Sequence, residues 1–344
     1  MQKVVIIGHF GFDSKKLSGQ TIKTEIVTQE LIKKYGADEI GKEDTHGKWR
    51  FLIKSPLIVL RALRNGRNVI MMPAYKGIWV ITPFLVLFNI FFHRSLFYVV
   101  VGGWLPDFLK KHRLFSSFFY SFNQIYVETN MMLTSMQELG FSNVSIMPNF
   151  KHLEILSYMD IDSIPTPPYK LCTFSRIIKE KGIEDAIRAV NNCNKILDKT
   201  AYTLDIYGQN EQNEWFTKLM KEQPPHISYR GNIPFNKSVE ALRNHFALLF
   251  PTYYRGEGFA GTLIDAMASG LPVIATKWHA NEEFIKDGDN GFTFPVHDVE
   301  ALTSILLDCY KNPDKILSMR KRQLDKAQEY APSKAIIVLT DKLN

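Results

Sequence analysis

Residues 246–276, FALLFPTYYRGEGFAGTLIDAMASGLPVIAT, form the most informative strand-to-helix junction of the sequence. The apolar runs FALLFP (246–251) and LPVIAT (271–276) have the length and composition of buried strands. The segment between them has the pattern of a loop followed by a helix. Two strands joined through a helix predict a parallel βαβ unit, and the loop after its first strand then lies at the sheet edge where ligands bind.

The same alternation of short apolar strands and helical patterns runs through the rest of the chain. In the second half, we predict strands at 170–175, 202–208 and 226–231 and helices at 182–197, 214–222 and 237–245. Residues 286–294, KDGDNGFTF, are interpreted as a turn. In the first half, we predict a helix at about 22–35 and strands at 4–7, 68–73, 95–101, 124–129 and 144–148. The pattern predicts an α/β fold with two doubly wound parallel sheets.

The two predicted sheets are separated by MDIDSIPTPPYK (159–170), whose three prolines are typical of a linker. We therefore predict an N-terminal domain over residues 1–155 and a C-terminal domain over 165–325, with a C-terminal helix at about 325–344 that packs back on the first domain. The length of 344 residues suits two domains. The three cysteines are far apart and predict reduced thiols in a cytoplasmic protein.

Positive charge is concentrated in the first half of the chain. The formal net charge is +7, and residues 1–150 contain 18 Lys and Arg against 10 Asp and Glu. No acidic residue occurs between Asp44 and Asp107. This imbalance predicts an anionic partner, and an anionic membrane fits because each nearby cation contributes about 1 kcal/mol. A solvated basic face is the alternative, and no aromatic-interleaved motif indicates nucleic acid.

An apolar segment lies within this basic half. IWVITPFLVLFNIFF (Ile78–Phe92) is shorter than the roughly 20 residues that a membrane-spanning helix needs, and it contains Pro83 and Asn89. We predict a buried or half-buried helix, with a segment lying in the membrane interface as the alternative. The short apolar run at the start of the chain is not that of a signal peptide, so we expect a cytoplasmic protein.

Two cations follow the first predicted strand of the second half. In FSRIIKEKG, Arg176 and Lys181 are five positions apart, between a strand and a helix. An arginine offers a fork of donors and a lysine a point charge, a pair that suits a diphosphate near a helix N-terminus. The alternative is two surface cations that happen to precede a helix.

The loop at 255–265 has the residues of a ligand site. Gly258 and Gly261 let the backbone approach a ligand closely, and Glu257 can accept hydrogen bonds from hydroxyl groups. TLID (262–265) also fits a capping box, with Thr262 at the N-cap and Asp265 three residues later. A cap would explain Thr262 and Asp265, but it would not explain Glu257 or the glycines.

Two loops of the first half complete the set of candidates. Gly19 and Gln20 lie just before a helix in FDSKKLSGQT, and Trp104 and Asp107 lie in GGWLPDF (102–108) after a predicted strand. Glycines and a Trp at a strand end suit an apolar or sugar face, although an ordinary turn before a helix is the alternative. Neither FDSKKLSGQT nor the GHFG that precedes it fits GxGxxG, so a nicotinamide-binding site is not indicated there. No GxSxG occurs, and the His residues form no metal-binding pattern.

GEGFAGTLIDAMASGLPVIAT resembles the C-terminal signature of retaining glycosyltransferases of family 4, which have the GT-B architecture. That family usually carries two Glu separated by seven residues, where this chain has Glu257 and Asp265. Arg176 and Lys181 match the family's cation pair, and the loop at Gly19 matches its first glycine loop. The resemblance implies two Rossmann-like domains that face each other across a cleft. It is sharpest from about residue 170 to 295.

The resemblance implies roles for these residues. Arg176 and Lys181 would bind the donor diphosphate and offset the charge of the leaving group, while Glu257 would contact the donor sugar. Donor binding is further expected at Gly19, Gly258, Phe259, Ala260, Gly261, Thr262, Leu263 and Asp265, the last of them at the ribose. The acceptor is expected near Gln20, Trp104 and Asp107. Where the family often has a His near GGWLPDF, this chain has none.

The implied function is transfer of a hexose from a nucleoside diphosphate sugar to a glycan or polyprenyl-linked glycan in surface polysaccharide synthesis. The donor would be the co-substrate, no metal or other cofactor would be required, and the anomeric configuration would be retained. The protein would sit peripherally at the inner face of the membrane. The alternatives are a nucleotide-sugar epimerase of the same architecture and a non-enzymatic protein that binds membranes or polyanions.

Overall fold

In the computed structural model, the described residues are 1–10, 19–45, 48–73, 75–161, 166–210 and 213–343, with the backbone alone for 48–52. The chain divides into two compact units. Unit 1 comprises Met1–Lys151 together with Tyr330–Asn344, and unit 2 comprises His152–Glu329. Most of the predicted glycine loop, residues 11–18, lies outside the described residues.

Unit 1 is built on a parallel sheet of six strands in the order β2-β1-β3-β4-β5-β6. The strands are β1 (Gln2–Gly8), β2 (Ile40–Asp44), β3 (Gly66–Met72), β4 (Ser95–Val99), β5 (Gln124–Val127) and β6 (Val144–Ile146). The helices are α1 (Gly19–Tyr35), α2 (Lys48–Asn65), α3 (Tyr75–Phe92), α4 (Leu105–Lys111), α5 (Arg113–Ser116) and α6 (Asn130–Glu138), and the C-terminal segment adds α14 (Pro332–Ala335) and α15 (Ile337–Thr340). Helices therefore cover a sheet whose strands all run in one direction.

Each face of this sheet has its own core, because successive side chains of a strand point to opposite faces. Val5 and Ile7 of β1 pack with buried residues of α2 and α3 on one face. Val4 and Ile6 pack with α1 and the C-terminal helices on the other face. The near-continuous apolar strands of the sequence follow from this burial on both sides.

Unit 2 contains a second parallel sheet of six strands, in the order β12-β11-β10-β7-β8-β9. The strands are β7 (Tyr169–Phe174), β8 (Tyr202–Tyr207), β9 (Ile227–Gly231), β10 (Ala247–Phe250), β11 (Val273–Thr276) and β12 (Gly291–Phe294). The helices are α7 (Ile183–Ile196), α8 (Glu214–Lys221), α9 (Ser238–Leu242), α10 (Gly261–Ala268), α11 (Asn281–Phe284), α12 (Val299–Lys311) and α13 (Asp314–Ala327). This is the doubly wound Rossmann order, and its switch point lies between β7 and β10.

All three cysteines lie in unit 2, where they are buried and free. Burial raises the pKa of Cys193 and of Cys309 to about 12. The protonated thiol is therefore the stable form of both at neutral pH.

The predicted α/β fold with two Rossmann-like sheets is confirmed, whereas two of its strands were not predicted. Strand β2, IGKED, is polar and has only Ile40 fully buried, so its sequence lacks the apolar run of the other strands. Strand β12 occupies Gly291–Phe294, so the interpretation of 286–294 as a turn was wrong for its last residues. Both are edge strands, which need less apolar sequence because they have one strand neighbour.

Gly182 allows the loop after β7 to approach the loop after β10 closely. It adopts φ +69°, and a Cβ there would lie 2.0 Å from the carbonyl oxygen of Pro251. A non-glycine residue would meet both the left-handed backbone penalty and this steric overlap. The loop that carries Lys181 is thus held directly against the loop that follows β10.

We predict that Gly182→Ala lowers the free energy of unfolding by about 3 kcal/mol, combining left-handed strain with overpacking. Gly288→Ala is the matched control, because Gly288 has φ +74° but a Cβ there would have no neighbouring atom within 4 Å. The control should lose only about 1 kcal/mol. Urea unfolding of both variants measures the difference, and equal losses would contradict the close approach at Pro251.

Candidate functional site

The candidate site lies at the switch point of the unit 2 sheet. β7 and β10 are neighbours there, and the helices that follow them begin at Ile183 and Gly261. Because all strands of the sheet are parallel, the loops after β7 and β10 emerge at the same edge. These loops carry the predicted cations and the predicted acids, respectively.

A buried ion pair joins the two loops. The Nζ atom of Lys181 donates to Oε2 of Glu257, and both side chains are less than 10% exposed. The sequence offered no structural reason for Glu257, and the structure supplies one, because Glu257 neutralises a buried cation. A carboxylate has about four acceptor positions, so this bond leaves Glu257 able to accept from further donors.

Thr252 also binds the carboxylate of Glu257. Its hydroxyl donates to Oε2 of Glu257 over 2.9 Å, and its carbonyl accepts a hydrogen bond from the hydroxyl of Thr276. Thr252 is fully buried just after β10 and was not among the predicted site residues. A Thr directly after a buried strand is the only signal in the sequence that could have identified it.

The ring of Tyr254 lies between the two predicted cations. The Cζ atom of Arg176 lies 5.3 Å from the ring centroid and the Nζ atom of Lys181 lies 5.2 Å from it. Both distances are within the range of cation–π attraction. Arg176 is exposed, and in the described part of the chain no carboxylate lies within ion-pair distance of it. The structure therefore brings together Arg176, Lys181 and Glu257, and adds Tyr254 to them.

The backbone around Tyr254 is fitted to its ring. A Cβ on Gly256 would lie between 2.8 and 3.0 Å from two ring carbons and the hydroxyl oxygen of Tyr254. The indole nitrogen of Trp278 donates to the carbonyl of Tyr254 over 3.0 Å. Burial, followed by the nearby carboxylates of Glu180 and Asp185, raises the pKa of the adjacent Tyr253. Tyr254 is thus held by its surroundings, through the close approach of Gly256 to its side chain and the bond from Trp278 to its carbonyl.

The predicted donor-binding segment forms the start of α10. Gly258, Phe259 and Leu263 are buried, whereas Ala260, Gly261 and Thr262 are partly exposed. The ring of Phe259 stacks on Phe284 with centroids 3.7 Å apart, so this side chain belongs to the core. Any contact of Phe259 or Leu263 with a ligand would therefore use the backbone.

The predicted capping box is absent. Ala260 is the N-cap residue of α10 and no side chain caps it. The hydroxyl of Thr262 donates instead to the carbonyl of Phe174, at the end of β7, over 2.7 Å. The prediction was wrong because a pattern of spacing does not show that a neighbouring strand end offers a competing acceptor.

Asp265 is fully buried in α10 and accepts a hydrogen bond of 2.8 Å from the hydroxyl of Ser238. Ser238 lies 27 positions away at the start of α9, and no local pattern connects the two residues. This hydrogen bond connects α10 to α9. Its role at a ribose stays a prediction.

The predicted acceptor-side residues lie in unit 1, each near the carboxyl end of a strand. The amide nitrogen of Gln20 donates to the carbonyl of Met72 at the end of β3, and Gly19 next to it is exposed. The indole nitrogen of Trp104 donates to the carbonyl of Val101, and Asp107 is exposed in the first turn of α4. Both loops follow strands at the same edge of the unit 1 sheet.

A second buried ion pair lies at that edge. The Nζ atom of Lys23 donates to Oε1 of Glu128 over 2.7 Å and to the carbonyl of Val100 over 3.2 Å. Both charged side chains are 2% exposed. The pair joins α1 to the ends of β4 and β5, and no local sequence pattern reveals it because 105 positions separate its members.

In the described ranges, no group of three or more His, Cys, Asp or Glu is placed to hold a metal ion. Asp160, one of two Asp in the predicted linker MDIDSIPTPPYK, accepts hydrogen bonds from Ser157 and forms an ion pair with Arg243. These bonds hold the pKa of Asp160 below its usual range, with the Ser157 hydroxyl as the main cause. Asp162 lies outside the described residues.

Comparison with known families agrees with this geometry. Residues 157–330, just over half of the chain and nearly all of unit 2, match the family model described as glycosyl transferases group 1. The chain belongs to this family. The matched region contains the complete β7–β10 switch point, including Arg176, Lys181 and Glu257.

Similar proteins include sugar transferases of several kinds. The chain is 30% identical over 131 residues to the GtfA subunit of a UDP-N-acetylglucosamine–peptide N-acetylglucosaminyltransferase from Streptococcus pneumoniae, covering 37% of this chain and 25% of the relative. The chain thus matches about a quarter of the length of that relative. It is 25% identical over 150 residues to glycogen synthase from Mycobacterium tuberculosis, covering 43% and 35% of the two chains.

A solved structure shares the whole architecture. HepE from Anabaena, in complex with UDP-glucose, superposes with a TM-score of 0.75 at 15% identity and covers 99% of this chain and 98% of its own. At that identity the likeness shows the fold alone. Together with the family match, it confirms the predicted GT-B glycosyltransferase architecture.

We predict that Lys181→Met lowers the free energy of unfolding by about 3 kcal/mol, because it leaves a buried carboxylate without its partner. Removing both charges with Lys181→Met/Glu257→Leu should restore part of the loss, giving a coupling of about 1 kcal/mol or more. Urea unfolding of the double-mutant cycle measures this coupling. Lys237→Met, in an exposed ion pair with Glu240, is the control and should leave stability almost unchanged. Additive losses would contradict the pairing.

Proposed function

We propose that this protein is a retaining glycosyltransferase of family 4, which moves a hexose from a nucleoside diphosphate sugar to a glycan or polyprenyl-linked glycan. The observation that carries the proposal is the cluster of Arg176, Lys181 and Glu257 at the unit 2 switch point. Two cations suit the oxygens of a diphosphate, and a carboxylate suits the hydroxyl groups of a sugar joined to it. Family membership supplies the reaction class.

The two cations are suited to stabilise a departing diphosphate. Arg176 is exposed and close to an aromatic ring, so its fork of donors is available to phosphate oxygens. Lys181 is buried and its position is fixed by Glu257. Fixed positive charge that faces a developing negative charge lowers the barrier, because no reorganisation is needed during the reaction. The proposed reaction therefore needs no metal ion.

Glu257 is proposed to bind hydroxyl groups of the donor sugar. Thr252 and Lys181 both donate to Oε2, so Oε1 is the oxygen that would accept from the sugar. Such a contact would orient the anomeric carbon toward the acceptor. In a same-face displacement through an oxocarbenium-like transition state, the departing phosphate oxygen could take the acceptor proton. No separate general base is assigned.

Uridine diphosphate sugars are the proposed donors, since similar proteins are described as using UDP-N-acetylglucosamine or as binding UDP-glucose. The acceptor is proposed to bind unit 1 near Gln20, Trp104 and Asp107. A partly exposed Trp beside an exposed carboxylate suits a sugar face and its hydroxyl groups. We propose a cytoplasmic location at the inner membrane face and a role in surface polysaccharide synthesis.

We predict that a true donor at about 100 times its Kd stabilises the protein by about 2.7 kcal/mol. A thermal-shift panel of UDP-, GDP-, ADP- and TDP-sugars would identify the donor. Arg176→Ala should weaken its binding by about 2 kcal/mol, roughly thirtyfold in Kd, through loss of charged hydrogen bonds. Arg188→Ala, an exposed arginine of α7 in the same unit, should leave the Kd unchanged.

The outcomes of this panel, together with analysis of the products formed from the donor, separate the competing functions. The absence of a thermal shift with every donor, or an unchanged Kd in Arg176→Ala, would contradict the proposed site. Conversion of the donor to its epimer without transfer would favour the epimerase. Where transfer occurs, the anomeric configuration of the product, measured by NMR, tests retention directly.

Tyr254 is proposed as a positioning residue, because its ring holds the guanidinium of Arg176 beside Lys181. We predict that Tyr254→Leu weakens donor binding by about 1 kcal/mol, roughly fivefold in Kd. Tyr254→Phe keeps the ring face and should bind the donor like the unchanged protein. Titrations of the donor against both variants make the comparison. Equal weakening in both would assign the effect to the hydroxyl and contradict the role of the ring.

A further inference from the structure

Unit 1 has a group of exposed apolar side chains that lie outside its hydrophobic core. On α2, Ile53, Leu57 and Leu60 are 68%, 60% and 37% exposed. On α3, Leu87, Ile90 and Phe91 are 50%, 60% and 82% exposed, and Trp79 is 40% exposed. Single exposed apolar residues are common, whereas a set of this size on two adjacent helices marks an interaction site.

The exposed residues of the two helices lie on the same side of unit 1. α2 packs on the sheet through Val59 and Leu63, and α3 packs on the same sheet face through Ile81 and Leu85. The two helices also pack against each other. Their outward faces therefore lie side by side, turned away from the sheet. We name this the α2–α3 surface, and it consists of Ile53, Leu57, Leu60, Trp79, Leu87, Ile90 and Phe91.

Positive charge borders the α2–α3 surface. Ile53, Leu57, Leu60 and Arg64 follow one another at helical spacing, and Lys54 is exposed beside them. Lys76 is exposed in the first turn of α3. Arg61 is exposed too, but it is bound to Glu43 of β2. The sequence from 45 to 106 contains no acidic residue, so every charged residue of α2 and α3 themselves is a cation.

From this combination we infer that the α2–α3 surface docks on an anionic phospholipid bilayer. Apolar residues enter the boundary between headgroups and acyl chains, and cations at the border pair with anionic headgroups. The inference deepens the membrane location of the proposed function, on which it rests, by assigning the surface that makes the contact. It also gives a polyprenyl-linked acceptor a route to unit 1, because such an acceptor is held in the same membrane.

The helices lie on the membrane and do not cross it. In the part of the chain that the structure describes, α3 is the one helix that is long and apolar enough to span a membrane by length and composition. However, Ile78, Ile81 and Leu85 are fully buried in the unit 1 core. Insertion of α3 would withdraw these side chains from that core, whereas docking leaves all of them in place.

A second copy of the chain is a weaker occupant for this surface. Self-association through it would bring Lys54, Arg64 and Lys76 of two copies close together. Like charges at the border of an interface oppose association. An anionic bilayer instead complements the same cations, so the charge pattern favours the lipid surface.

The test measures binding of the full chain to phosphatidylcholine vesicles with and without phosphatidylglycerol, by co-sedimentation at low salt. We expect binding only to the vesicles that contain phosphatidylglycerol, and weaker binding at high salt. Phe91→Gln should lower the partition coefficient about tenfold by removing apolar burial. Arg64→Gln should lower it about fivefold, the factor that corresponds to about 1 kcal/mol per cation.

Matched controls come from exposed positions of unit 2. Ile196→Gln replaces an apolar residue that is 61% exposed, and Arg188→Gln replaces an exposed arginine; neither should change the partition coefficient. Equal binding by all four variants, or no binding by the unchanged protein, would overturn the inference. Binding to heparin without binding to vesicles would replace it with a soluble polyanion, and a dimer dissociated by Phe91→Gln would replace it with self-association.

Donor-induced thermal shifts in the same variants keep this inference separate from the proposed function. Phe91 and Arg64 lie in unit 1, whereas the proposed donor site lies in unit 2, so the shift should persist in Phe91→Gln and Arg64→Gln. Lost vesicle binding with an intact donor shift supports both proposals. An intact shift without vesicle binding in the unchanged protein overturns only the membrane surface.

Discussion

The buried ion pair between Lys181 and Glu257 is the interaction on which the candidate site depends. Each charge is nearly inaccessible to water, and neither would be stable there alone. Their attraction holds the loop after β7 against the loop after β10, which the close approach at Gly182 reinforces. The charged groups at this sheet edge are therefore fixed in position because Lys181 of one loop neutralises Glu257 of the other.

Unit 1 also contains a buried ion pair that joins two segments at the carboxyl end of its sheet. Lys23 and Glu128 form a buried pair at the carboxyl end of its sheet, and Lys23 also binds the carbonyl of Val100. In both units the pair connects segments that the sheet order brings together. Removing either partner would leave an uncompensated charge, so these pairs constrain the position of those segments more than they add stability.

Most of the fold could be predicted from the sequence, because parallel strands that are buried on both faces have nearly continuous apolar sequences. The exceptions, β2 and β12, are edge strands with polar or glycine-containing sequences. Within the site, the residue types of Arg176 and Glu257 predicted a ligand with phosphate and hydroxyl groups, and that ligand stays a prediction. The sequence could not show the bond from Ser238 to Asp265, nor the acceptor at Phe174 that prevents Thr262 from capping α10, because both depend on distant strand and helix ends.

The difference between Arg176 and Lys181 follows from what surrounds each cation. The charge of Lys181 is already neutralised by Glu257, so an anionic ligand would gain little electrostatic attraction from Lys181. Arg176 has an aromatic ring instead, and a cation–π contact of roughly 0.5–1 kcal/mol at an exposed site leaves its charge largely uncompensated. A diphosphate would therefore gain most from Arg176, while Lys181 would add a charge whose position Glu257 fixes. The aromatic ring of Tyr254 allows this arrangement because it orients a cation without neutralising it.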